Sequence, residues 1–333
     1  MLNGQTQSLI QAVEAQTNHP VTVEFADKKA GYLRHDQAQL VLRDGAVHVK
    51  VFDITEPNYT VAHELLHFLL VAQNVPQVAF NLTTGKQDLD LKLMTVGVEL
   101  YDSVLHFAVY RDQRNRGLIT EEDEELYFKG ILATLQPEPA DGHNDGWMSF
   151  RLLTLFDALI FFVEQQEAIL PKLQELYPKT LQAAQKLYEL ASAKPLVDAH
   201  AMRRTVVKLY KAFDQQLERW GLVSMYLTDF VTLTPVLSDR QLRLEVRQLF
   251  TIYHSEWTAK LHHRSGYIGR WKNDEQNSFV IPEPQKNAPE TFTRLYEMKV
   301  ADFMERMGLE YLKKWVLNIT GENRGITDAP VRW

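Results

Sequence analysis

The 333-residue chain contains no cysteine. That absence excludes disulfide scaffolds, thiolate zinc fingers, cysteine-ligated iron–sulfur clusters and thiol nucleophiles. A transition-metal site in this chain has to be assembled from histidine and carboxylate. Long apolar runs are missing too. The most hydrophobic stretch, Leu152 to Val163, contains Asp157 and is about 12 residues long, against the roughly 20 that a membrane helix needs. The start, Met1-Leu2-Asn3-Gly4-Gln5, lacks a basic segment followed by an apolar one, so a signal peptide is not expected. The expectation is a cytoplasmic protein with no membrane partner, in which the sequons at Asn58, Asn81 and Asn318 carry no meaning. No Gly-rich phosphate loop, dinucleotide fingerprint or serine nucleophile elbow occurs. A net charge of −7 gives no electrostatic reason to expect nucleic acid.

What is present is enough to fold. Hydrophobic residues make up 45% and charged residues 24%, a composition that buries a core and is not disordered. A helix is expected at Leu9–Ala15. Strands follow at Val21–Phe25, Gln39–Leu42 and Val47–Phe52, the last two joined by the hairpin signal Asp44-Gly45. Thr55-Glu56-Pro57 reads as a helix start with a capping hydroxyl. Three helices are predicted, to about residue 73, over about 87–115 and, from the capping signal at Thr120, to about residue 135. The segment Gln136 to Gly142, rich in proline, is the best domain boundary. It divides residues 1–136 from a helical region at 140–333, with helices predicted near 147–167, 171–192, 196–220, 238–263 and 290–318 and a long loop at 264–289. The fold class expected is α+β, predominantly α, with a small N-terminal sheet packed on a helix.

One motif carries chemistry: His63-Glu64-Leu65-Leu66-His67. Histidines at i and i+4 lie about 40° apart on a helix, so both imidazoles reach one metal ion. Glu64 projects from the same helix where it can take a proton from a metal-bound water. Neutral imidazole suits zinc, and three protein ligands plus a water is the usual catalytic arrangement. The surrounding residues, Val61, Ala62, Leu65, Leu66, Phe68, Leu69, Leu70 and Val71, cover most of the helix circumference. Such a helix is buried, and a buried glutamate beside two histidines needs a compensating partner.

A strand followed by a helix with HExxH resembles the zincin metallopeptidases. The resemblance covers about residues 20–115 and is nearest in layout to the ImmA/IrrE type. It implies that His63 and His67 are zinc ligands, that Glu64 is the general base, and that an edge strand, Val47–Phe52, holds a peptide or protein substrate by β-augmentation. The metzincin extension is absent, since Leu70 and Gln73 stand where it has glycine and histidine. The gluzincin-like layout remains, whose third ligand is a carboxylate on a later helix.

The next helix offers Glu99, Asp102 and His106 within about 60° of one another on a helical wheel. Asp102 lies in the middle of the apolar stripe Leu91, Met94, Val98, Leu105, Val109, where a carboxylate needs a strong partner. Family habit favours Glu99 instead. His106 reads either as an oxyanion-stabilising group or as a plain i,i+4 partner of Asp102. Weaker signals are the calcium-like run Asp141 to Gly146, better read as a polar turn, His262-His263-Arg264 as an exposed helix end, and the basic face Met202-Arg203-Arg204 as solvated surface. The function expected is a zinc-dependent metallopeptidase-like hydrolase. The rival is a non-catalytic regulatory or interaction protein acting through its helical C-terminal region.

Overall fold

The computed structural model describes residues 2–261, 263–284 and 288–314. It is 53% helical and 17% strand, so the chain is α+β and predominantly α. The order begins α1 (Gly4–Thr17), β1 (Val21–Phe25), β2 (Ala38–Arg43), β3 (Ala46–Val51) and α2 (Pro57–Ala72). Two short strands, β4 (Val78–Ala79) and β5 (Leu82–Thr83), lead to α3 (Gln87–Asn115), α4 (Glu121–Thr134) and α5 (Met148–Phe161). Then come α6 (Gln166–Leu176), α7 (Pro178–Ser192), α8 (Ala199–Arg219), α9 (Leu227–Phe230), β6 (Thr232–Leu233) and β7 (Val236–Leu237). The remainder is α10 (Asp239–Leu242), α11 (Val246–Leu249), β8 (Phe250–Ala259), β9 (Arg264–Trp271), β10 (Asn277–Pro282), α12 (Ala288–Glu297), α13 (Val300–Met307) and β11 (Leu312–Lys313).

Local chemistry accounts for the first half. Asn3 caps α1 by accepting from the Thr6 amide. Asp44 and Gly45 both adopt positive φ, the geometry a two-residue hairpin demands. The first sheet has the order β1-β3-β2, with β1 parallel to β3 and β2 antiparallel to it. Val47, Val49 and Val51 point into the core. The strand expected at the edge, β3, is therefore central and bonded on both sides; the edges belong to β1 and β2. Thr55 is not the cap of α2 either. Its hydroxyl donates to Asp53, and Glu56 precedes the helix without a side-chain cap. Thr120 and Asp123 form the capping box of α4 as predicted.

The largest departure is in the last hundred residues. In place of one helix over 238–263 and a loop over 264–289, two short helical turns lead into an antiparallel sheet with the order β10-β9-β8-β5. Phe250 and Ile252 are buried while Thr251 between them is exposed. That period of two, in β-branched and aromatic residues, is a strand signature that helical spacing masks. The helix expected over 290–318 breaks between α12 and α13, and its end, 315–318, lies outside the described residues, as does His262. Arg203 is not solvated surface. It is buried, paired with Asp274, bonded to Ser278 and stacked over the Trp271 ring.

One apolar cluster runs from Leu9 to Ile268 and a second, from Leu237 to Met304, underlies the C-terminal sheet. The proline-rich segment between α4 and α5 lies against Arg151 of α5. That side chain donates to the carbonyls of Gln136 and Pro137 at 2.6 and 3.0 Å and to both oxygens of Asp145 at 2.7 Å. Asp145 is thereby committed to an arginine, which makes the calcium-like run a polar turn. No helix among the described residues is long and apolar enough to cross a membrane.

Candidate metal centre

Helix α2 places His63 and His67 one turn apart, and α3 crosses it so that His106 closes a triangle. The ring centroids are 4.7 Å apart for His63 and His67, and 4.9 Å from each of these to His106. One ligand atom from each ring lies within 4.8 Å of the other two. His63 and His106 are almost fully buried.

Two of the rings are held by defined partners. His63 Nδ1 lies 3.3 Å from Gln113 Oε1. The Gln113 amide is oriented because its Nε2 donates to the Tyr59 carbonyl at 3.1 Å. Gln113 Oε1 therefore accepts, His63 carries its proton on Nδ1, and its Nε2 lone pair is free. His106 Nδ1 bonds to Asp157 Oδ1. Asp157 Oδ2 accepts from the hydroxyls of Tyr110 at 2.9 Å and Tyr127 at 2.6 Å. Burial alone would raise the Asp157 pKa. The His106 charge and hydrogen bond, with His35 and Tyr127, overcome it and hold the group well below the usual carboxylate range. Burial, with the neighbouring rings, keeps His63 and His67 well below the ordinary histidine value, so both are neutral and ligand-ready.

The other carboxylates of the pocket behave in the opposite way. Burial pushes Glu64 up to about 7, against the pull of His35 and of the Leu40 backbone. Burial and the nearby Glu99 push Asp102 up to about 8. Glu99 itself faces His35, with Oε2 3.2 Å from Nε2. The triangle thus takes His106 in the place expected for Asp102 or Glu99. Both carboxylates share the pocket but stand outside the group of three ligand atoms. His106 pairs with Asp157, not with Asp102 at i,i+4.

The β2 edge runs beside this site. The Phe52 amide donates to Gln37 at 2.8 Å, and Gln39, Val41 and Arg43 oppose Lys50, His48 and Ala46. In an antiparallel pair alternate residues bond inward, so Ala38, Leu40 and Leu42 turn their amides outward. The Leu40 backbone acts on the Glu64 carboxyl, which places the free edge next to it.

The donor set fits a divalent cation. Three imidazoles converge, and His106 is backed by a carboxylate in the way metal-bound histidines are. Four acids, Glu64, Glu99, Asp102 and Asp157, lie around them, and a bound cation would favour the ionised form of the two that burial holds up, Glu64 and Asp102. Sequence reasoning missed Asp157, Gln113 and His35. Asp157 did have a signal, a lone acid inside the most apolar helix of the chain. Gln113 and His35 had none. Comparisons with family models, with curated proteins and with solved structures find no match to this chain.

Proposed function

We propose that the protein is a metal-dependent hydrolase of peptide bonds, with His63, His67 and His106 as ligands of a zinc-type ion and Glu64 as general base. The observation that carries this is the triangle of imidazoles with Glu64 on the same turn of α2. Bound there, such an ion supplies Lewis-acid polarisation of a carbonyl and an acidified water. The rest is the work of the chain's own groups. Gln113 and Asp157 hold the His63 and His106 rings with their Nδ1 positions engaged. Glu64 accepts a proton on its carboxylate and returns it to the leaving amine. A carboxyl that titrates near 7 does both at neutral pH. The outward amides of Ala38 and Leu42, on either side of the Leu40 backbone that bonds Glu64, offer an extended peptide a strand to pair with. The region after residue 140 belongs to the site through Asp157, and the cytoplasm is the location we assign.

The test is metal analysis of the purified full chain together with a Glu64→Gln variant. The expected result is about one zinc per chain in both proteins and peptide hydrolysis in the wild type only. A wild type that retains no metal after zinc loading, or a Glu64→Gln variant with full activity, overturns the reading. Metal retained in both with no Glu64-dependent hydrolysis supports the regulatory alternative.

A further inference from the structure

We propose that His35 is a positioning residue that clips Glu99 of α3 to Asp157 of α5 and so holds the His106 ring in its ligating orientation. The inference rests on the reading of His63, His67 and His106 as metal ligands. His35 lies in the connection between β1 and β2, far in sequence from everything it touches. Its Nε2 is 3.2 Å from Glu99 Oε2, and its Nδ1 is 3.6 Å from Asp157 Oδ2 and 3.5 Å from the Tyr127 hydroxyl. The ring stands edge-on to His106 with centroids 5.4 Å apart. The side chain is 17% exposed, between a Glu99 that is 33% exposed and an Asp157 at 3%. It therefore spans the passage from solvent to the buried carboxylate.

The backbone that presents His35 is held firmly. The Leu33 amide donates to the Leu126 carbonyl at 3.0 Å, and the Gln37 side chain spans the turn by accepting from the Arg34 amide and donating to the Tyr32 carbonyl. Helix α4 presses so close that a Cβ on Gly130 would meet the Leu33 carbonyl oxygen at 2.1 Å. A ring on such a turn has little freedom to follow the carboxylates; they are held to it. Asp157 Oδ1 serves His106 alone among the contacts described, while Oδ2 gathers Tyr110, Tyr127 and the His35 edge. Groups crowded on Oδ2 fix the plane of the carboxylate, and the plane aims Oδ1 at His106 Nδ1. Removing His35 frees one of those constraints and releases Glu99 into the pocket.

The experiment compares wild type, His35→Leu and His35→Gln as full chains. Zinc affinity is measured by chelator competition, and ligand geometry by the visible spectrum of the cobalt-substituted proteins. His35→Leu is expected to weaken zinc by about 10–100-fold and to shift the cobalt bands. His35→Gln, which keeps one donor, recovers part of both. If His35→Leu does not fold, Glu99→Gln cuts the same clip from its exposed end and is expected to move both readouts in the same direction by less. A wild-type protein that binds zinc beside a folded His35→Leu with unchanged affinity and spectrum overturns the clip alone. A wild type without zinc overturns the clip and the metal reading together.

Discussion

Helix α5 carries two ionic clusters less than two turns apart, one around the buried Arg151 and one around the buried Asp157, and they are built on opposite plans. At Arg151 the accounting closes. Its Nε, Nη1 and Nη2 atoms all have oxygen partners, two carbonyls and the bidentate carboxylate of Asp145. At Asp157 it stays open. His106 has a described partner on Nδ1 only, one ligand atom of each of the three rings lies within 4.8 Å of the others, and Glu64 and Asp102 sit with pKa values lifted to about 7 and 8. A polar cluster that serves structure is complete in itself. One that gathers three imidazoles and acids poised near neutrality is the kind of cluster the proposed metal reading requires.

Replacing a member of the open cluster should act on the ligand first. His63→Ala or His67→Ala is expected to abolish zinc retention, read as metal per chain after desalting. Glu64→Gln should keep the metal and lower hydrolysis by about 10²–10⁴-fold. The closed cluster should act on stability instead. Arg151→Ala leaves two carbonyls without their donor and a gap at a fully buried position, and is expected to cost about 1–3 kcal/mol in urea unfolding, with zinc per folded chain unchanged. Loss of zinc in that variant's folded fraction would erase the distinction. A smaller effect is expected for Asp157→Asn, about 10–100-fold in zinc affinity, since the three rings remain.

The smallest effect concerns pH. Hydrogen bonding from Arg151, outweighing burial, holds the Asp145 pKa below its ordinary value. A depressed carboxylate stabilises the fold above its unfolded pKa and loses that contribution as pH falls through the folded one. Wild-type urea midpoints should therefore drop below about pH 4 more steeply than those of Asp145→Asn. Parallel curves would show that the pair adds nothing titratable.

These contrasts track what was legible along the chain. His63, Glu64 and His67 were readable because an i,i+4 pair is a property of one helix, whatever surrounds it. The third corner was not. Glu99, Asp102 and His106 share a face of α3, and helical periodicity alone does not say which turn meets α2. Gly97 marks one constraint on that crossing: a Cβ there would meet Val231 at 2.9 Å and Phe80 at 3.2 Å, so α3 is pressed at that point against segments far from it in sequence. The same applies to the C-terminal sheet. Leu82 of β5 pairs with Ala259 of β8, a partnership that periodicity within either segment does not announce.

By itself, then, the sequence excluded thiolate chemistry, and it determined the shared face of His63 and His67 on α2 and the hairpin turn at Asp44-Gly45, because each of these two depends on neighbours within a few residues. Only the tertiary structure decided that His106 lies beside His63 and His67, that β3 is central and β2 an edge near Glu64, and that Asp157, Gln113 and His35 bond to groups of this cluster. Those choices rest on where helices cross and strands pair, and such contacts are settled by packing across tens of residues rather than by local propensity.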